Sequence, residues 1–61
     1  MFARERQESI AKLIQEKESV TVVELSELYD ISEVTIRKDL EELQRQRRNI
    51  MTHGGAVSMY K

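Results

Sequence analysis

The segment Ser32–Leu43, SEVTIRKDLEEL, leaves the chain around it few options. Ile36, Leu40 and Leu43 recur at i, i+4 and i+7, which lays three branched apolar side chains along one stripe of a helix. Ser32 stands ahead of them as an N-cap, its hydroxyl able to accept a free first-turn amide. At about 100° per residue from Ile36, the residues Val34, Lys38, Glu41 and Arg45 fall near the opposite face, with Thr35 and Arg37 on the flanks. Such a helix is buried along one stripe and opens, on its other side, with hydroxyls and two adjacent cations. It suits a DNA major groove, where the N-terminal residues of a recognition helix meet base edges and phosphates.

The rest of the chain is short. Sixty-one residues make one small domain, and a domain of that size buries only about 60% of the surface its unfolded chain exposes, so its stability is marginal. Without cysteine there is neither a disulfide framework nor a thiolate zinc site, and a single histidine excludes multi-His metal sites. No apolar run approaches the ~20 residues that span a bilayer, and the N-terminus lacks a signal-peptide core. A cytosolic protein, or a piece of one, with no membrane partner is expected. The net charge of −1 argues against nucleic acid until it is divided along the chain. Residues 1–33 carry four basic and eight acidic groups, net −4, whereas residues 34–61 carry six basic and three acidic groups, net +3. Phosphates respond to that local field rather than to the sum.

Residues 3–17 contain good helix formers and neither Gly nor Pro. Ile10, Leu13 and Ile14 give this first helix its apolar stripe, which Phe2 and Arg6 extend backward. Val20-Thr21-Val22 is a short β-branched strand. Thr21 also opens TVVE, a capping box with Glu24, and starts a second helix over 22–29 whose buried side is Val22, Leu25 and Leu28, with Tyr29 close by. Asp30 suits a left-handed turn residue, and Ile31 is expected to tuck between the helices. The recognition helix then covers 33–46. Two helices joined by three or four residues, the second with Thr and Arg exposed near its start, form a helix-turn-helix. Beyond it, Ile50-Met51-Thr52 and Ala56 to Tyr60 flank Gly54-Gly55 as a hairpin over 49–59. Two strands are too few to stand alone, and Val20–Val22 supplies a third. The resulting fold is mainly α with a small β wing (α+β): a three-helix winged helix-turn-helix in the order helix, strand, helix, helix, strand, strand.

With these residues in view the chain resembles the DeoR-type bacterial transcriptional regulators. SEVTIRKDL at 32–40 is similar to their recognition-helix pattern Ser-x-x-Thr-Ile-Arg-Arg/Lys-Asp-Leu, and HGGAV at 53–57 is similar to their wing. The fourteen-residue spacing from Asp39 to His53 agrees as well. The resemblance implies a cytoplasmic, nucleoid-associated repressor of sugar or nucleoside catabolic genes that binds a double-stranded DNA operator. It also implies a larger C-terminal domain, absent from this chain, that binds a phosphorylated sugar effector and makes a homo-oligomer. Carried over by position, Ser32, Thr35, Arg37 and Lys38 contact DNA. Glu33 and Val34 occupy the variable positions that set operator choice, and His53, Gly54 and Gly55 shape the wing. The family commonly has Gly-Leu-Ile/Leu after the recognition helix, where this chain has Arg47-Arg48-Asn49. A left-handed cap there costs a non-glycine residue roughly 1 kcal/mol, so a longer helix and a weakened wing are expected.

Each candidate has a plainer reading. Arg37 can pair with Glu33 or Glu41 and Lys38 with Glu42, at only ~0.2–0.5 kcal/mol each. Arg45, Arg47 and Arg48 form a basic cluster suited to flanking phosphates, or simply a solvated helix end whose cations complement the dipole. Asp39 is expected to orient Arg37 or Lys38 or to cap an amide. Arg4 and Arg6 suit a DNA backbone less well than a solvated helix start. His53 has no nucleophile or second titratable group at a recognisable spacing, so no catalytic residue, metal ligand or cofactor is assigned. The competing functions are a winged helix that docks on protein and, more remotely, an RNA binder, for which paired stacking aromatics are lacking.

Overall fold

The computed structural model describes residues 2–59; Met1, Tyr60 at the end of the expected hairpin and Lys61 of the basic count lie outside them. The order is α1 (Ala3–Lys17), β1 (Ser19–Thr21), α2 (Val22–Tyr29), α3 (Glu33–Arg45), β2 (Asn49–Thr52) and β3 (Gly55–Ser58). This is the winged helix-turn-helix order expected from the sequence. The three strands form one antiparallel sheet in the order β1-β3-β2. Val20 stands opposite Ala56, and Met51 opposite Ala56 from the other side.

Local chemistry sets most boundaries. α1 closes on Glu18 in a left-handed conformation, its N–H donating to the Ile14 carbonyl at 2.8 Å. Thr21 caps α2 as a full capping box: the Glu24 N–H donates to Thr21 Oγ1 at 3.1 Å, and the Thr21 N–H donates to Glu24 Oε1 at 2.9 Å. The bond from the Thr21 N–H, with Lys17 at 3.2 Å as a second partner, holds the Glu24 carboxyl below its ordinary pKa. Asp30 ends α2 with φ 55 and ψ 48, and Ile31 packs against the core as its place in the turn demands.

Ile10, Ala11 and Ile14 of α1, Val20 of β1, Val22 and Leu25 of α2, Ile36, Leu40 and Leu43 of α3, and Ala56 of β3 make one core. Two apolar expectations fail. Leu28 is 63% exposed because α2 is rotated to bring Tyr29 inward; the Tyr29 hydroxyl lies 2.6 Å from Ser9 Oγ on α1. Phe2 is 79% exposed and adds nothing to the stripe of α1.

The joint between α3 and the wing also differs from expectation. α3 stops at Arg45 and does not run on. The Arg47 N–H donates to the Gln44 carbonyl at 2.8 Å and the Arg48 N–H to the Leu43 carbonyl at 2.9 Å, the paired bonds of a Schellman motif. Arg47 takes the left-handed place with φ 61. β2 then forms fully paired, because Gln44 Oε1 accepts the Met51 N–H at 2.8 Å and β3 supplies the ladder. No helix among the described residues is long and apolar enough to cross a membrane.

Candidate nucleic-acid interface

The N-terminal half of α3 is presented to solvent by the burial of its seam: Ile36, Leu40 and Leu43 have no accessible surface. Glu33, Val34, Arg37 and Lys38 are exposed and Thr35 half-buried. Ser32 is the N-cap, accepting the Thr35 N–H at 3.2 Å, and the two side-chain oxygens lie 3.0 Å apart. Two hydroxyls sharing one hydrogen bond leave one hydroxyl proton to donate outward. Arg37 Nη2 reaches Glu33 Oε1 at 3.5 Å with both side chains about half exposed, a pairing weak enough for a phosphate to replace. Lys38 has no partner among the described residues. Val34, an aliphatic side chain at the second helical position, is 58% exposed. This face offers a hydroxyl donor, two exposed cations, one carboxylate and one apolar surface. Those groups can contact phosphates and base edges.

The other candidates divide. Arg45 is exposed and pairs with Glu42 at 2.9 Å, one turn back on the same helix. Arg48 is drawn to α1, where it binds Glu8 and holds that carboxyl below its ordinary pKa. In the wing, His53 and Gly54 form the exposed turn, and Gly54 has φ 85. Gly55 is buried, and a Cβ on it would stand 2.1 Å from the Val20 carbonyl oxygen. Its absent side chain is what lets β3 lie against β1. The Gly54 carbonyl accepts the Val22 N–H at 2.9 Å, tying the wing turn to the start of α2. No cluster of three or more His, Cys, Asp or Glu among the described residues is placed to hold a metal.

Asp39 does not orient Arg37 or Lys38. It is 3% exposed and faces α1. Arg6 Nε donates to Asp39 Oδ2, Arg6 Nη2 to Oδ1 at 3.0 Å, and Gln7 Nε2 to Oδ1 at 3.1 Å. The hydrogen bond to Asp39 raises the pKa of Arg6 above its ordinary value. Arg6 is therefore neither a solvated helix start nor a backbone contact. A sequence signal existed: Arg6 continues the apolar stripe of α1, and Asp39 lies about 60° to one side of the α3 seam. Opposite charges beside two buried seams mark a pair across the interface.

The geometry and the comparison with known proteins converge. The DeoR-like helix-turn-helix domain matches residues 6–61. The chain belongs to that family. Its DeoR-type relatives include an uncharacterised HTH-type transcriptional regulator of Bacillus subtilis, YulB, 41% identical over 59 residues, or 97% of this chain and 23% of that protein. An L-fucose operon activator of Escherichia coli is 39% identical over 92% of this chain and 23% of its own length. A lactose phosphotransferase system repressor of Staphylococcus aureus is 38% identical over 95% of this chain and 23% of its own. No solved structure matches significantly. The chain thus spans under a quarter of the length of the curated relatives it matches. A DeoR-like domain among transcriptional regulators is a DNA-binding regulatory module and not an enzyme.

Proposed function

We propose that this domain reads a duplex operator for a repressor of a sugar or nucleoside catabolic operon. A further domain of the full protein would bind a phosphorylated sugar, release the operator and hold the protein as a homo-oligomer in the cytoplasm, on the nucleoid. The observation that carries the DNA reading is the split of α3: its seam is dry while Glu33, Val34, Arg37 and Lys38 stand exposed at its N-terminal end. Ser32, Thr35, Arg37 and Lys38 take phosphate and base contacts, Glu33 and Val34 select bases, and His53 with Gly54 touches the adjoining backbone. Arg45 is free to swing from Glu42 to a flanking phosphate. Arg48, held by Glu8, acts through the wing it anchors. Two relatives named for the L-fucose and lactose systems support a carbohydrate operon; on the sign of regulation they divide, the lactose protein being named a repressor and the L-fucose protein an activator.

Titrating duplex DNA at two salt concentrations tests this reading. Binding should fall steeply with salt, and Lys38→Ala should weaken it at every sequence and lower the salt slope by about one. Absence of DNA binding at low salt would instead favour a winged helix that docks on protein. In the oligomer, half-sites should repeat near one helical turn or a multiple of it.

A further inference from the structure

We propose that the Arg6–Asp39–Gln7 cluster is a positioning device for the recognition helix. It fixes the rotation and axial setting of α3 on α1, and so the aim of Val34, Arg37 and Lys38. This rests on the DNA-binding reading. The seam of Ile36, Leu40 and Leu43 is apolar and hence non-directional. Cores of this kind lose uniqueness of packing before they lose stability. The cluster is directional. Asp39 has both oxygens occupied by a guanidinium fork and a carboxamide from successive residues of α1, and such charge-assisted bidentate bonds fix geometry. Its side chain is 4% exposed and that of Arg6 12%. Buried pairs of this type add little net stability over an apolar replacement, and specifying one arrangement is a role they can serve. Asp39 follows Lys38 directly in the helix. Any slip of α3 that breaks the cluster therefore also moves the cations.

The test separates aim from stability. The double substitution Arg6→Met with Asp39→Leu removes one positive and one negative charge, so the net charge and non-specific attraction to phosphate stay the same. The probes are the duplex that the wild-type chain enriches from a random pool and a scrambled duplex of equal composition, with melting followed by circular dichroism. The double variant should melt at or above the wild type and bind the scrambled duplex with unchanged salt slope. Its preference for the enriched duplex should fall about tenfold, the discrimination of roughly one base pair. An undiminished preference overturns the proposal. Should the double variant melt lower, Asp39→Asn, nearly isosteric, is compared well below its own melting point. Loss confined to the enriched duplex supports the proposal, and equal loss on both duplexes overturns it. A wild-type chain that enriches no sequence overturns the DNA reading, and this proposal with it, before any variant is made.

Discussion

Replacing Arg47 with glycine should stabilise the domain. Arg47 occupies the C′ position after α3 with φ 61, a conformation that costs an L-residue roughly 1–2 kcal/mol. Its N–H and that of Arg48 already make the two Schellman bonds at 2.8 and 2.9 Å, so glycine gains no bond and loses none. The side chain is exposed and has no partner among the described residues, so no contact is forfeited. Against the relief stands the greater freedom of glycine in the unfolded chain, about 0.5–1 kcal/mol. The net is about 0.5–1 kcal/mol of stabilisation. For a domain this size that raises the melting temperature by roughly 2–8 °C, taking about 4–8 °C per kcal/mol. Thermal melting at 222 nm reads it, with Arg47→Ala as the control for lost charge, since alanine keeps the strained conformation. A glycine variant that melts with or below the alanine variant would refute the assignment of strain to this residue.

Three further outcomes follow from single residues. Asn49 is 1% exposed with neither amide atom hydrogen-bonded among the described residues; unpaired buried groups cost about 1–3 kcal/mol, so Asn49→Val should raise the denaturation midpoint, and a lower midpoint would show that the amide is satisfied. If Val34 meets a thymine methyl, replacing that thymine with uracil should weaken wild-type binding by about 0.8 kcal/mol, roughly fourfold, and leave Val34→Ala unaffected; equal losses would remove the contact. Glu24 has a lowered folded pKa, so its contribution is full above the unfolded value of 4.5 and is lost as pH falls through the folded one. Glu24→Gln keeps the capping box without titrating, so the melting gap between wild type and variant should close in acid, and a gap that persists there would count against the ionised cap.

What could be read from the sequence was whatever a single segment decides. Ser32 and Thr21 are caps because a hydroxyl before an apolar helical period has one good use, and both make the expected bonds. Asp30 is left-handed because a three-residue link between helices demands it. Rotation of a helix on its neighbours is settled elsewhere. Leu28 and Tyr29 are adjacent and both apolar, and Ser9, twenty residues away, decides between them by binding the Tyr29 hydroxyl. Asp39 likewise looks like part of the cationic surface until α1 is placed behind it. On the interface, exposure of Arg37 and Lys38 was legible from the seam, whereas the diversion of Arg48 to Glu8, forty positions away, was not.

The joint after α3 shows how the domain tolerates its unusual residues. Arg47 is strained and the side-chain amide of Asn49 is buried without a partner among the described residues, so neither favours the turn into the wing. What holds β2 in place comes from outside the joint. Gln44 on the last turn of α3 accepts the Met51 N–H at 2.8 Å, Arg48 binds Glu8, and β3 pairs with β2 on one side and β1 on the other. The wing is thereby fastened to the recognition helix and to α1 by bonds that do not depend on local preference. Because Gln44 lies one residue beyond Leu43 of the buried seam, α3 and the wing turn are set by the same framework. A substitution that freed the joint locally would leave that framework intact, which is why relief at Arg47 is expected to change stability and not operator choice.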